Sequence, residues 1–207
     1  MQAAGSAVEQ LAQDYADQPV VFLEYDKADE ALFPRERRWW TAYGGGSASL
    51  PLVMVDSGNQ ISNGYEEDFY TKHAAMVDAS LARDAQAEIV ASSQRSGDMF
   101  HFEVQVTNRT DETLGSGNGA TVWAIVYEEF ETSGSGRFTN RFVRTAVSTA
   151  ISSDLAPDAT ETFTLVTSAL GGVNWDNLRA ILLVDYRPGS TSGAYDTLQA
   201  VSVSTTP

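Results

Sequence analysis

The sequence predicts an α/β first part followed by an all-β antiparallel sandwich, with the change near residue 85. Three observations carry this. Before residue 85, helical and strand-like apolar periods alternate. After it, only short period-two runs appear, separated by stretches rich in Gly, Asn, Asp, Ser and Pro. These runs number about seven in about 120 residues, the density of a β-sandwich.

The elements follow in order. Val8, Leu11, Ala12 and Tyr15 recur at i, i+3, i+4 and i+7, which predicts a helix over 6–15. Ser6 with Glu9 three residues on reads as a capping box at its start. Val20-Val21-Phe22-Leu23-Glu24-Tyr25 is nearly continuously apolar and predicts a strand covered on both faces. Pro34 to Tyr43 predicts a second helix, opened by proline and ended by Gly44-Gly45-Gly46. Leu52-Val53-Met54-Val55 predicts a second buried strand. Asp56 to Asn59 then turns the chain into a short return strand at Gln60-Ile61-Ser62. A long helix is expected over 65–83, with Phe69, His73, Met76, Val77, Ser80 and Leu81 on one face. Strands are expected at 87–93, 99–107, 120–128, 140–151, 160–167, 178–186 and 195–204. The second is the clearest: Phe100, Phe102, Val104 and Val106 alternate with His101, Glu103, Gln105 and Thr107.

Composition narrows the function classes. The 207 residues are 43% apolar and 20% charged, as in a folded chain of one or two domains. Net charge is −15. Residues 1–84 hold 6 Lys/Arg against 14 Asp/Glu, and residues 85–207 hold 7 against 14, so the acidity is spread along the chain. Such a field repels phosphate backbones and anionic lipid, so neither nucleic acid nor a membrane surface is an expected partner. There is no cysteine, which excludes disulfides, thiol nucleophiles and zinc–thiolate sites within these residues. No apolar run approaches the ~20 residues of a membrane span. Met1-Gln2-Ala3-Ala4-Gly5 lacks the basic start and apolar stretch of a signal peptide, so an export signal is expected upstream of this chain.

Two resemblances follow from particular residues. Ser49-Leu50-Pro51-Leu52-Val53-Met54-Val55-Asp56-Ser57-Gly58-Asn59, in the order helix, strand, helix, strand, return strand, helix, resembles a thioredoxin-like domain from its redox helix onward. The resemblance makes Pro51 a cis-proline. The Cys-x-x-Cys that thioredoxin-like oxidoreductases carry at the start of the first of these helices is missing, as is the strand before it, so the expectation is that the chain begins downstream of its natural start, the alternative being a fold rebuilt without its central strand. The strands on either side of the missing one, 20–25 and 52–55, are expected to pair directly in a monomeric chain. The second resemblance rests on Val104-Gln105-Val106-Thr107-Asn108-Arg109-Thr110-Asp111-Glu112-Thr113-Leu114 and on Leu155-Ala156-Pro157-Asp158-Ala159-Thr160-Glu161-Thr162-Phe163-Thr164-Leu165. These look like bacterial immunoglobulin-like or fibronectin-type modules, which implies placement outside the cytoplasm and binding or spacing rather than catalysis.

Candidate sites are sparse. His73, on the apolar face of its helix, reads as a buried, hydrogen-bonded core histidine, and His101 as a wet one. Trp39 and Trp40 follow Arg37 and Arg38, the densest positive charge in an acidic chain. Neighbouring helical residues diverge by about 100°, so only one Trp can enter a core. The other caps the junction between the two parts or binds a partner, with packing the leading reading for the tryptophans and a solvated, ion-paired face the default for the arginines; Trp39, Trp40, Arg37 and Arg38 are the candidate partner surface. Asp26, Asp29 and Glu30 have no calcium-loop spacing. The triple glycine lacks the Lys-Ser/Thr of a phosphate loop, and no Gly-x-Ser-x-Gly elbow occurs. Asn108-Arg109-Thr110 is formally a glycosylation sequon.

The reading is therefore a partial thioredoxin-like domain at 1–84 and an immunoglobulin-like β-sandwich at 85–207. The expected function is a non-catalytic extracytoplasmic binding or structural protein without cofactor or metal, meeting an unidentified protein or surface partner. The alternative is a fragment of a thiol–disulfide oxidoreductase whose Cys-x-x-Cys lies upstream.

Overall fold

A computed structural model describes residues 2–25, 33–131, 139–189 and 193–205. Seven strands build the second part: β3 (Ala87–Ser96), β4 (Met99–Asn108), β5 (Thr121–Glu131), β6 (Thr139–Ala150), β7 (Thr160–Val166), β8 (Leu178–Tyr186) and β9 (Asp196–Val203). Each expected strand is present, within three residues at either end. They form two antiparallel sheets, β3-β4-β7 and β6-β5-β8-β9, stacked as a β-sandwich.

Alternation explains the core. In β4, Phe100, Phe102, Val104 and Val106 point inward and are essentially fully buried. The register sets Phe102 opposite Leu165 and Val104 opposite Phe163 across the β4–β7 pair. Val122, Ala124 and Val126 of β5 and Leu182 and Val184 of β8 close the core from the other sheet. At roughly 1.5–3 kcal/mol for each large apolar side chain buried, this cluster is the main source of the sandwich's stability.

Asn108 is a structural residue. Its amide nitrogen donates to the carbonyls of Glu112 (2.7 Å) and Leu155 (3.0 Å), and its oxygen accepts from the Thr110 amide and hydroxyl. It is completely buried, so the sequon is closed in the folded protein.

Before the sandwich lie α1 (Gln2–Asp14), α2 (Phe33–Tyr43), β1 (Leu52–Val55), β2 (Gln60–Asn63) and α3 (Phe69–Leu81), with a short 3-10 turn at Asp56–Gly58 between β1 and β2. Several local expectations change. The first helix begins at Gln2, so Ser6 lies inside it and is no cap. The third begins at Phe69, because Asp68 caps it by accepting from the Thr71 amide at 3.0 Å. After α2, Gly45 takes positive φ and donates to the Trp40 carbonyl, ending the helix as expected. The Leu50–Pro51 peptide is cis.

The larger correction concerns residues 20–25. They do not pair with β1, whose partner among the described residues is β2. Glu24 instead forms a parallel bridge to Phe142 of β6. Its amide donates to the Arg141 carbonyl (2.8 Å), and its carbonyl accepts from the Val143 amide (2.9 Å). The physical reason lies on the sandwich. The outer face of the four-stranded sheet is also apolar, with Trp123, Ile125, Tyr127, Val143, Ile181 and Leu183 buried, and Leu23 and Tyr25 pack against it. That face and the open β6 edge offer the segment more than the four-residue β1 does. The sheet expected of a thioredoxin-like domain is thus not formed by the described residues. The burial expected of β1 on both faces is absent as well: Leu52 to Val55 are only half-buried. No described helix is long and apolar enough to cross a membrane.

Candidate functional site

The densest polar cluster sits where α2 meets the outer face of the four-stranded sheet. In β8 the period of two sends Leu182 and Val184 into the core and Ile181, Leu183 and Asp185 outward. Across the β5–β8 pair, Trp123 lies opposite Leu183 and Thr121 opposite Asp185. On α2, Arg35, Arg38 and Trp39 fall at i, i+3 and i+4 and share the face turned to that sheet.

Asp185 is fully buried. Its carboxylate accepts from the Trp39 indole N–H (2.9 Å), the Trp123 indole N–H (3.2 Å) and the Arg38 guanidinium (3.1 Å). Arg38 also donates to the Gly119 carbonyl at 2.5 Å, and its guanidinium lies 3.9 Å from the Tyr195 ring centre. Arg187 approaches the same ring at 4.5 Å. Arg35 is buried, with its guanidinium 3.5 Å from the Trp39 ring centre and 5.6 Å from that of Trp123. It donates to the Tyr25 hydroxyl. Burial pushes the Asp185 carboxyl above its ordinary range, opposed by Arg38, Trp39, Arg35 and Trp123. Burial pushes Arg35 down, opposed by Tyr25 and Asp185. Three donors and no exposure leave this carboxylate closed to a substrate. Chemically the cluster is a clasp.

A second clasp joins the β1–β2 turn and the end of α3 to β9. Arg83 donates to both Asp196 oxygens (2.7 and 2.6 Å) and pairs with Asp56. Asp56 also accepts from the Ser80 hydroxyl, and Ser57 shares a 2.8 Å hydrogen bond with Thr197.

The four residues read as a partner surface divide between these environments. Trp39 and most of Arg38 are enclosed in the first clasp. Arg37 is exposed. Trp40 is half-buried, donates to the Gly46 carbonyl and stacks on Tyr43, ring centres 6.2 Å apart. Tyr43, Leu50 and Tyr65 are open to solvent, at 51%, 58% and 84%. His73 is buried as expected, but neither ring nitrogen has a hydrogen-bond partner, so the expected bond is absent. Asp26, Asp29 and Glu30 lie outside the described residues. Among the described residues no three His, Asp or Glu side chains group to hold a metal ion.

Sequence reasoning missed Asp185, Trp123 and Tyr195. The available signal was Asp185 itself, a lone carboxylate ending the apolar run Ala180-Ile181-Leu182-Leu183-Val184. A buried charge in such a strand requires a partner from another element.

Comparison with known proteins gives the following. No protein-family model matches the sequence, and no curated protein matches it. Among solved structures, the chain is similar to a domain of the outer membrane lipoprotein Omp28 from Porphyromonas gingivalis at 13% identity and a TM-score of 0.31, over 58% of this chain and 88% of that one. It is similar to the sporulation control protein Spo0M from Bacillus subtilis at 12% identity and 0.33, over 58% of this chain and 50% of that one. It is similar to a beta-glucosidase from Kluyveromyces marxianus at 12% identity and 0.30, spanning 68% of this chain but 18% of the enzyme. These likenesses are distant, and none bears on function.

Proposed function

We propose that the chain is a non-catalytic binding or structural protein that works outside the cytoplasm, built on an immunoglobulin- or fibronectin-type module. The observation that carries this reading is the fate of its reactive side chains. The buried carboxylate, the two arginines and the two tryptophans that could have formed a reactive pocket are spent on one another, holding α2 to the sheet. Arg37, Tyr43, Leu50 and Tyr65 are exposed and Trp40 is half-buried, side chains suited to contact with a protein or cell-surface partner. Fractionation and protease shaving of cells making the full-length protein test the reading. The protein is expected outside the inner membrane and accessible to protease; retention in the cytoplasm would overturn it.

The second reading, a piece of a thiol–disulfide oxidoreductase, is supported by the order of elements from α1 to α3. Against it stands the bridge from residues 20–25 to β6. Exchange needs a thiolate, and these residues hold no cysteine. Insulin reduction by the full gene product would favour this reading; its absence favours the first.

A further inference from the structure

The chain has two histidines, and histidine is the side chain whose ordinary charge change falls between pH 5 and 8. His101 is half-buried on β4. His73 is different. It is 2% exposed on the inward face of α3, between the buried Phe69 and Met76. The Phe69 ring centre lies 5.8 Å from its own. Ala4 and Ala7 of α1 complete the cluster around Phe69. Both ring nitrogens are buried without a hydrogen-bond partner. A neutral imidazole tolerates that at the cost of its unmade hydrogen bonds. An imidazolium, with two N–H donors and a full charge, does not.

We propose that His73 is an acid-sensitive pin: a proton taken up by its ring loosens α3 from α1 and from the β1–β2 hairpin while the sandwich stays folded. Burial, the largest influence, holds the imidazole below its ordinary pKa; Lys72 acts in the same direction, and Glu66, just before α3, opposes them without reversing the shift. Of the other titratable groups on the packed elements, Glu9 of α1 acts on Glu24 and Asp68 holds Thr71. Tyr15, just after α1, donates to Asp78, Tyr70 of α3 donates to Asp14, and Asp56 of the hairpin turn holds Ser80 and Arg83. None offers the ring a counter-charge within hydrogen-bond reach. The sign follows. The folded state binds the proton less readily than the unfolded one, so this contribution to stability is present above the ordinary value of about 6.5 and is lost as pH falls through the lower folded value. The loss is local because α3 reaches the rest of the first part through side-chain contacts, such as Gln60 donating to the Met76 carbonyl, whereas the sandwich strands are held by continuous ladders.

The test uses the whole chain. Its His73 ring is titrated by NMR, and amide exchange, corrected for intrinsic rates, is measured at pH 7.5 and 5.0. The expected ring pKa is below 6.5, with α3 losing about tenfold or more in protection at pH 5.0 relative to β4 and β5. In His73→Phe that selective loss should vanish. A ring pKa at or above 6.5 overturns the proposal, whether or not the variant folds. Equal loss in α3 and β5, or the same selective loss in a folded His73→Phe, overturns it as well.

Discussion

Asp185 and Asn108 show what a single polar side chain does when it is buried with all its partners. Removing one member of a buried charge cluster strands the others. Asp185→Ala would leave Arg38 and two indole N–H groups without their acceptor. It should destabilise the protein by about 3–5 kcal/mol in chemical unfolding. Replacing Asp185 and Arg38 together by Leu and Met should recover part of that loss, since no guanidinium is then stranded, while the two indole N–H groups still lack an acceptor. Asn108→Ala would leave the Thr110 amide without its acceptor and take one of two donors from each of the Glu112 and Leu155 carbonyls, with a loss of roughly 1–3 kcal/mol. Tyr15 supplies a measurement at the opposite end of the pH scale. Its hydroxyl donates to Asp78 at 2.5 Å, and this bond pushes its pKa up to about 12. The folded state holds the proton more tightly than the unfolded one, so the contribution is complete below the unfolded value of about 10 and is lost as pH rises through about 12. Tyr15→Phe should remove that alkaline dependence from the α1–α3 pairing, as read by exchange or circular dichroism.

At the scale of elements, the seven sandwich strands were legible because each carries its own period and its own turn chemistry. Phe100 to Val106 declare their faces without help from any neighbour. The first part was less legible. Val20 to Tyr25 are apolar enough for either of two destinations, and sequence cannot compare a four-residue strand with an open β6 edge above an apolar face. The choice is made by tertiary contacts, and so is the burial of Asp185, whose partners come from residues 38, 39 and 123. The single bridge at Glu24 can be probed directly. Glu24→Pro removes the amide that donates to Arg141 and restricts the backbone that accepts from Val143. The Val143 amide should then exchange faster, with β5 and β8 amides unchanged; an unaltered Val143 would mean that the bridge contributes little.

For the molecule as a whole, the question is how far the sandwich depends on what lies across it. A fragment of residues 85–207 retains its inner core and should fold cooperatively with a β-type spectrum. It also uncovers Trp123 and Tyr127 where Leu23 and Tyr25 had packed, and leaves Asp185 without Arg38 and Trp39. An apolar face of that kind on a free sheet seeks a partner. The fragment should therefore self-associate in sedimentation and melt at a lower temperature than the full chain. A monomeric fragment with unchanged stability would show that the covering segment is only an attachment. The uniform negative charge of −15 works against association in the intact chain, and its effect should weaken with added salt.

The placement of the tryptophans gives the first clasp an optical signature. Of four in the chain, Trp39 and Trp123 donate to one carboxylate in a dry environment, with an arginine against each ring. Trp40 and Trp175 are half-buried away from it. Lifting α2 from the sheet would hydrate the first two indoles at once and remove their shared acceptor, so their fluorescence should shift to longer wavelength as a pair. With Trp40 and Trp175 replaced by Phe, emission becomes a report on whether the clasp is closed, readable in seconds and at nanomolar protein, before any global unfolding begins.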